Sequence, residues 1–321
     1  MGIDAIWWAL TDPDTLLFSQ ALTDEVPARA APLFLENELL HDDVNKFALL
    51  ARGPDPVGTL YGATHGKPER SRRFCEILRP NRMGDELRVA LRDRRHTWGV
   101  MCLHRGAGTR PFSSDERMFL RQLGPHLAAG LRQSLLLRHG AAVEPVLPGV
   151  LLVTSALEQV SITATAEACL SELDDWPQSG VRSLAIVSVV ARLLAIEQAV
   201  ATLPDHLPRL RVQTRTGAWV TLSASRLPST AGADHIAVVV EPECSEQMIP
   251  LVFAAFGLTA SEERIAHYVL QGARNREIAQ TLGITPLTVQ QHLKGVFEKA
   301  GVHSRGELRA RLQMRRLRVE P

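Results

Sequence analysis

Leu258–Leu308 reads LTASEERIAHYVLQGARNREIAQTLGITPLTVQQHLKGVFEKAGVHSRGEL, and its start and stop signals divide it into four short helices. Thr259 is followed at capping-box spacing by Glu262, and Ser304 by Glu307. At this spacing the hydroxyl and the carboxylate each accept a hydrogen bond from the other residue's backbone amide. We therefore expect the first and last helices to begin just after Thr259 and Ser304.

The two middle helices have their own signals. Asn275 can cap the second helix and Thr285 the third, in which Pro286 stands at the first position, where no N–H is needed. Glycine reaches the left-handed backbone conformation that ends many helices, and it stands where these helices should stop, at Gly272, Gly283 and Gly301. Two short helices joined by a tight glycine turn are typical of a helix-turn-helix, whose second helix enters the major groove of DNA.

The third helix, expected over Pro286–Ala300, is amphipathic. One side carries apolar residues at helical spacing, namely Val289, Leu293, Val296, Phe297 and Ala300. The opposite side carries Leu287, Gln291, Lys294, Gly295 and Glu298, with Thr288 and Gln290 beside it. The helix is therefore expected to dock through its apolar side and to leave a face of glutamine and lysine with no core to join.

Charge is distributed unevenly along the chain. The 321 residues carry a net charge of only +1. Residues 258–321 hold 11 Lys and Arg against 6 Asp and Glu, a net of +5, so the preceding residues carry −4. A basic end on an acidic body indicates a polyanionic partner at that end, although a solvated charged tail would have the same composition.

The C-terminal stretch resembles the LuxR-type (NarL/FixJ-like) helix-turn-helix over about fifty residues. The matching residues are Leu258, Thr259, Glu262, Gly272, Asn275, Glu277, Ile278, Ala279, Leu282, Ile284, Thr285, Thr288, Val289, His292, Lys299, Val302, Ser304, Arg305 and Leu308. The family often has Arg where Ser261 stands, and Lys where Gln290 stands. The resemblance implies an all-α DNA-binding domain over 251–321.

By the family's geometry, one set of side chains would read bases and another would hold phosphates. The base-reading candidates are Gln290, Gln291, Lys294 and Leu287. Glutamine can form two hydrogen bonds with the N6 and N7 atoms of adenine, lysine prefers guanine, and leucine can touch a thymine methyl group. The phosphate candidates are Arg274, Asn275, Arg276, Thr288, Lys299, Ser304 and Arg305, although any single arginine can equally be a solvated side chain.

The first part of the chain, 1–138, reads as one α+β unit. ELRVALRD at 86–93 and TWGVMCLHR at 97–105 predict a hairpin. A helix follows, opened by Ser113 with Glu116 and carrying leucines at helical spacing. These features resemble the second half of a GAF domain, which implies a small-molecule sensor. In the family this last helix (113–137 here) often dimerises, and its leucines fit either a second protomer or the chain's own sheet.

Five aromatic side chains of this unit could line a ligand pocket, although aromatic residues more often simply form the core. They are Trp7, Trp8, Phe47, Tyr61 and Trp98. No cofactor is evident, so the expectation is at most an unidentified small-molecule ligand in the GAF-like domain.

A linker with small residues and prolines precedes the second unit, 150–242. Two strands, then helices, then the hairpin RVQTRTGAWVTLSASRL and a last buried strand are predicted. This order of elements resembles a PAS domain, which implies ligand sensing or dimerisation. A scaffold without a ligand would have the same order.

The sequence lacks the motifs that mark several other classes of function. The chain before the C-terminal stretch contains no GxSxG, HExxH or phosphate-binding loop, so no enzyme and no catalytic residue is expected. The four cysteines, Cys75, Cys102, Cys169 and Cys244, are far apart in the sequence and form no metal-binding motif. This pattern predicts reduced thiols and no metal site. No apolar run is long enough for a membrane span, and no leader or lipid anchor is indicated, so a cytoplasmic protein is expected.

The predicted fold class is thus multidomain, with two α+β sensory-type domains, GAF-like and PAS-like, followed by an all-α four-helix LuxR-type domain. The predicted function is a DNA-binding transcriptional regulator controlled by a ligand or a dimerisation change in its body. The alternative is a signalling or enzymatic sensory protein whose C-terminal domain only tethers it to DNA or a protein. Expected partners are double-stranded DNA, a second copy of the chain through helix 113–137 or 304–316, and RNA polymerase for an activator.

Overall fold

The computed structural model describes residues 1–26, 30–137, 147–175, 179–198, 207–228, 234–243 and 248–313. These residues form two compact units. The first contains the described parts of 1–132 and 146–242, and the second those of 133–145 and 243–321. Among the helices of the described segments, none combines the length and the apolar character that a membrane crossing requires.

The first unit begins with a five-stranded antiparallel sheet. Its strands are β1 (Ala5–Thr11), β2 (Phe18–Asp24), β3 (Val57–Thr59), β4 (Met83–Arg92) and β5 (Thr97–Gly106). They lie in the order β2-β1-β5-β4-β3, so the predicted hairpin forms β4 and β5. Strand β2 starts at Phe18, after a turn in which Leu16 adopts a left-handed conformation with φ 60°.

Helices accompany this sheet. They are α1 (Ala31–Leu40), α2 (Phe47–Arg52), α3 (Leu60–Ala63) and α4 (Ser114–Leu137), with short turns at 68–70, 74–78 and 79–81. A short non-helical segment separates α1 from α2. Asp43 accepts hydrogen bonds from the Val44 amide and the Asn37 side chain, and Asn45 is left-handed at φ 54°, so the helix cannot continue through this segment.

The long helix α4 begins as predicted. The amide of Ser113 donates to Glu116 Oε2 at 2.9 Å, and the amide of Glu116 donates to Ser113 Oγ at 3.3 Å, which completes the capping box. Leu120 is buried, whereas Met118 and Phe119 on the other side are exposed by 49% and 56%. The leucine side of α4 therefore packs within the chain at Leu120, is only partly buried at Leu123, Leu127 and Leu131, and an apolar pair remains on the helix surface.

A second five-stranded antiparallel sheet follows in the same unit. Its strands are β6 (Gly149–Val153), β7 (Gln159–Ile162), β8 (Arg209–Gln213), β9 (Trp219–Leu227) and β10 (His235–Pro242). Helices α5 (Ala164–Ser171) and α6 (Leu184–Glu197) lie between β7 and β8 in sequence. The strand order is β7-β6-β10-β9-β8, which repeats the order of the first sheet. The predicted succession of two strands, helices and three strands is the one observed.

Within the first unit, the two sheets share core residues. Leu17 and Leu39, from the first part of the chain, belong to the core cluster of the second sheet. In return, Leu184 and Val187 of α6 pack against the aromatic cluster of the first sheet. Apolar surface that each part would expose alone is therefore buried between them.

An ion pair spans the same junction. The guanidinium of Arg211 on β8 donates to Asp12 through Nε at 3.0 Å and Nη2 at 2.9 Å, and the Arg211 amide adds a third bond at 3.0 Å. Burial alone would raise the pKa of Asp12, but the hydrogen bonds and charge of Arg211 outweigh it and hold the pKa below its ordinary value. The carboxylate therefore stays ionised where water is excluded.

The second unit is all helical. Its helices are α7 (Ile249–Phe256), α8 (Ala260–Leu270), α9 (Asn275–Leu282), α10 (Pro286–Ala300) and α11 (Arg305–Gln313). Four of them are the predicted ones, and α7 precedes them, beginning two residues before the expected domain boundary at 251. The predicted fold class, two α+β parts followed by an all-α part, is confirmed. Residues 314–316 of the expected dimerisation helix lie outside the described residues.

We predict that Asp12→Ala lowers the free energy of unfolding by about 1–3 kcal/mol, because Arg211 loses its buried partner and keeps only the exposed Asp14. Since the folded-state pKa of Asp12 is depressed, the pair stabilises the fold above about pH 4 and loses this effect as the pH falls through the folded value. Urea denaturation of the full chain across this pH range measures both effects. Arg72→Ala, which breaks an exposed pair with Glu76, is the control and should change little; an equal loss in both variants contradicts the assignment.

Candidate DNA-reading surface

Helix α10 is held at both ends by the signals in its sequence. Thr285 caps it, accepting a hydrogen bond from the Thr288 amide at 3.1 Å, and Pro286 occupies the first turn. Gly301 ends it in a left-handed conformation at φ 61°. Gly283, also left-handed at φ 66°, ends α9, so only three residues join α9 to α10. This is the helix-turn-helix geometry expected from the sequence.

The buried side of α10 sets its rotation. Val289, Leu293, Val296 and Ala300 are buried in the core of the helical unit. Ile278 and Ala279 of α9 belong to the same core. With one side committed to this core, the opposite side of α10 must face solvent.

All four predicted base-reading residues lie on that solvent side. Leu287 is 65% exposed, and Gln290, Gln291 and Lys294 are also exposed. They line one groove of about 980 Å³ together with Glu298 and His303. The structure brings these side chains together, and their contacts with bases stay a prediction. His303 was not among the residues predicted from the sequence. Its position two residues after Gly301, where α10 ends, is the signal that could have placed it beside this helix.

Gly295 lies elsewhere than expected. It was expected on the reading face, yet a Cβ at Gly295 would stand 2.6 Å from Glu262 Oε1 of α8. Gly295 is therefore the place where the Glu262 carboxylate packs against α10. A larger residue would push the two helices apart.

Glu262 connects two helices at this contact. Its carboxylate accepts the Thr259 amide at 2.6 Å, as the capping box predicts, and Lys299 Nζ at 2.6 Å. Burial would raise the pKa of Glu262, but the hydrogen bonds from Lys299 and Thr259 outweigh burial and lower it. Lys299, expected to hold a phosphate, is thus occupied within the chain because a partly buried carboxylate lies next to it.

Other phosphate candidates also have internal partners. Arg305 Nη1 donates to the Ala273 carbonyl at 2.6 Å, and its Nη2 donates to the side chain of Asn275. Asn275 is the first residue of α9 rather than its cap, since the Arg274 amide donates to Glu277 at 2.7 Å. Arg305 therefore links the start of α11 to the start of α9.

The remaining phosphate candidates differ in availability. The Thr288 hydroxyl lies 2.9 Å from the Thr285 hydroxyl, and Ser304 Oγ accepts the Glu307 amide at 3.0 Å to cap α11. Arg274 and Arg276 are exposed, and within the described residues neither guanidinium has an ion-pair partner. They are the two candidates whose charge is free for a phosphate.

The predicted ligand-pocket residues are not gathered in one place. Trp7 and Phe47 stack with ring centroids 6.0 Å apart, beside Phe18, in a core cluster of the first sheet. Trp98 is buried separately and donates from its indole nitrogen to Asp93 at 2.9 Å. Trp8 alternates onto the other face of β1, and Tyr61 lies on α3, each half-buried. Two of the five therefore share one site.

An inner-face charge cluster adjoins this aromatic pair and was missed from the sequence. It consists of Glu38, Asp43, Lys46, Arg73, Glu86 and Arg88, all buried or nearly so. Arg73 Nη2 donates to Glu86 at 2.7 Å, and Arg88 Nη2 donates to Glu38 at 2.8 Å while lying 3.7 Å from the centre of the Phe47 ring. Burial lowers the pKa of Lys46 to about 8. The cluster combines three cations and three carboxylates in one interior.

Two protein families match separate parts of the chain. Residues 257–311 match the luxR family of bacterial regulatory proteins (GerE), and residues 20–131 match the GAF domain. The first match contains the whole of α10 and its groove. The second contains most of the first sheet and α1 to α3. The LuxR-type and GAF resemblances read from the sequence are confirmed, the PAS resemblance stays a prediction, and the chain is a DNA-binding regulator with a sensory domain.

Comparisons with whole proteins add little. A search of curated proteins found no match. Among solved structures, the phage VqmA–DPO complex has a TM-score of 0.23 and 15% identity, covering 58% of this chain and 88% of that one. The Vibrio cholerae VqmA dimer without target DNA, a LuxR-type receptor, has a TM-score of 0.18 and 13% identity, covering 54% and 84%. With TM-scores this low, neither structure informs the function of this chain.

We predict that Gly295→Ala destabilises the helical unit by about 1–3 kcal/mol, although alanine favours a helix by about 1 kcal/mol. The new methyl group meets the Glu262 carboxylate, which the Thr259 amide and Lys299 hold in place. Hydrogen exchange of α8 and α10 amides in the full chain measures this change. Gly306→Ala is the matched control, because its Cβ would meet only Ser304 Oγ at 3.8 Å. Unchanged exchange in Gly295→Ala would contradict the packing.

Proposed function

We propose that this regulator, with its LuxR-type and GAF domains, inserts α10 into the major groove of DNA and reads bases through Leu287, Gln290, Gln291 and Lys294. One observation carries the proposal: these side chains share a groove on the side of α10 opposite its buried residues. A helix of this width fits the major groove of B-DNA.

The chemistry of the groove favours a mixed site. Gln290 and Gln291 suit adenine, whose N6 and N7 offer a donor and an acceptor, and Lys294 suits the acceptors of guanine. Lys294 Nζ lies 3.9 Å from Glu298 Oε1, so a base acceptor competes with an exposed intrahelical pair that contributes little. Glu298 repels phosphate, which limits base contacts to the first two turns of α10.

Phosphate contacts would come mainly from Arg274 and Arg276. Both lie at the start of α9, at the end away from the turn that joins α9 to α10, and within the described residues neither guanidinium forms an ion pair. Lys299, Arg305, Asn275 and Ser304 would support the surface from within, by the bonds described above. The Thr288 hydroxyl, in the first turn of α10, would contact the DNA backbone.

The GAF-like and PAS-like parts of the chain would control DNA binding by the helical unit. The second sheet has the same strand order as the first, which supports a PAS-like part, and the shared core lets a change in one part reach the other. A small-molecule ligand could act only through different affinity for two states of the body. The exposed Met118 and Phe119 of α4 suit a contact between two copies, which sedimentation of the full chain would detect. An activator would in addition contact RNA polymerase.

We predict that Gln291→Ala and Lys294→Ala each weaken binding to the preferred site by about 1–3 kcal/mol and relax the base preference at one position. The preferred site comes from selecting random duplexes with the full chain, and fluorescence anisotropy then measures affinity. Gln122→Ala and Lys67→Ala, exposed positions of the same residue types in the first unit, are the controls. Wild-type affinity and preference in both α10 variants would remove them from base reading.

Arg276→Ala and Lys299→Ala should separate phosphate contact from internal support. Arg276→Ala is expected to weaken binding to all duplexes alike and to reduce the salt slope by about 1, because one phosphate contact is lost. Lys299→Ala is expected to loosen the helical unit, since Glu262 loses its charged partner. Titration at several salt concentrations, together with hydrogen exchange, measures both. A sequence-dependent loss in Arg276→Ala would contradict its assignment to phosphate.

A further inference from the structure

The strand pairing of β4 and β5 places three metal-binding side chains on the inner face of the first sheet. Glu86 lies directly opposite His104, and Arg88 lies opposite Cys102. Alternate residues of a strand point to the same face, so Glu86, Cys102 and His104 meet there, inside the inner-face charge cluster. One oxygen of Glu86, the sulfur of Cys102 and one ring nitrogen of His104 lie within 4.8 Å of one another.

His104 is the unexplained member of this group. Its side chain is completely buried, and within the described residues neither Nδ1 nor Nε2 has a hydrogen-bond partner. Buried polar groups in folded proteins are nearly always satisfied, so a histidine with two idle nitrogens indicates a missing partner. The ring of Phe34 lies 5.7 Å away and offers no hydrogen-bond acceptor of that kind.

We infer that Glu86, Cys102 and His104 bind a transition-metal ion of the zinc class. Carboxylate, thiolate and imidazole are the three ligand types that zinc takes in proteins, and three protein ligands leave a fourth position open. In a tetrahedral zinc site the ligand atoms lie roughly 3.5 Å from one another. The Glu86 oxygen, the Cys102 sulfur and the His104 nitrogen would therefore have to approach one another by roughly 1 Å, a distance that side-chain rotation can supply.

The surroundings of Cys102 suit such an ion. A cysteine binds metal as a thiolate, so its proton leaves to solvent when the ion binds. Arg88 lies directly opposite Cys102 in the strand pairing, and its guanidinium would then face a thiolate, which is a better acceptor than a thiol.

A second set of bonds holds the ligands in place. Arg73 donates to Glu86 Oε2 through Nε at 2.9 Å and Nη2 at 2.7 Å, which fixes the carboxylate, and its Nε makes only a longer bond of 3.2 Å to the other oxygen, Oε1. The cluster's three cations and three carboxylates balance. A divalent ion with one new thiolate leaves one net positive charge, so we expect weaker binding than at sites with several cysteines.

Cobalt substitution of the reduced full chain tests this site directly. We expect about one Co²⁺ per chain, with a thiolate-to-cobalt charge-transfer band that Zn²⁺ abolishes. Cys102→Ser and His104→Gln should lose the band. Cys169→Ser and His96→Gln, changes at a cysteine and a histidine outside the site, are the controls and should keep it.

Zn²⁺ should also raise the midpoint of thermal unfolding in the wild type but not in the two site variants, since an ion that binds only the folded state stabilises it. This second measurement distinguishes a loss of binding from a loss of folding, because it is made on the wild type and does not depend on whether a variant folds. A wild type without the charge-transfer band, or a band that persists in Cys102→Ser, overturns the inference. In that case an adventitious metal, or a buried water on His104, accounts for the site.

Discussion

The rotation of α10 about its own axis is the constraint on which the DNA-reading surface depends. Val289, Leu293 and Val296 insert into the core of the helical unit, so a turn of α10 would expose them and bury Gln291 or Lys294. Glu262 adds a polar restraint at Gly295, where only a residue without a side chain lets the carboxylate approach. Hydrophobic burial therefore aims the reading face, and a single buried acid limits how the helices approach each other.

The body depends on a different kind of restraint, in which distant parts of the chain complete each other. Leu17 and Leu39 fill the core of the second sheet, and Asp12 neutralises Arg211 across the junction. A signal received by either sheet would meet side chains that pack into the core of the other sheet. Such a body suits a two-state response better than independent sensors, because its parts cannot rearrange separately.

Local signals made the helical unit and the hairpin predictable from the sequence, because caps, glycines and alternation act over a few residues. Thr259, Thr285 and Gly301 each do in the structure what their spacing indicated. The junction could not be predicted in this way, since Asp12 and Arg211 stand 199 positions apart. The same holds for Glu86 and His104, whose meeting follows from strand register and has no spacing motif. Lys299 shows a further limit: residue type and family position suggested a phosphate contact, and a neighbouring acid decided otherwise.

The strand order shared by the two sheets bears on how the chain folds as it is synthesised. In each sheet the first strand lies inside and pairs with the last, as Ala5 with His104 and Val153 with Ile236. Neither sheet can close until its final strand has left the ribosome, and β1 must wait about a hundred residues for β5. The helical unit has contacts mainly between neighbours in sequence and folds without such a delay. During synthesis the body, rather than the DNA-reading part, is thus the region most exposed to misfolding.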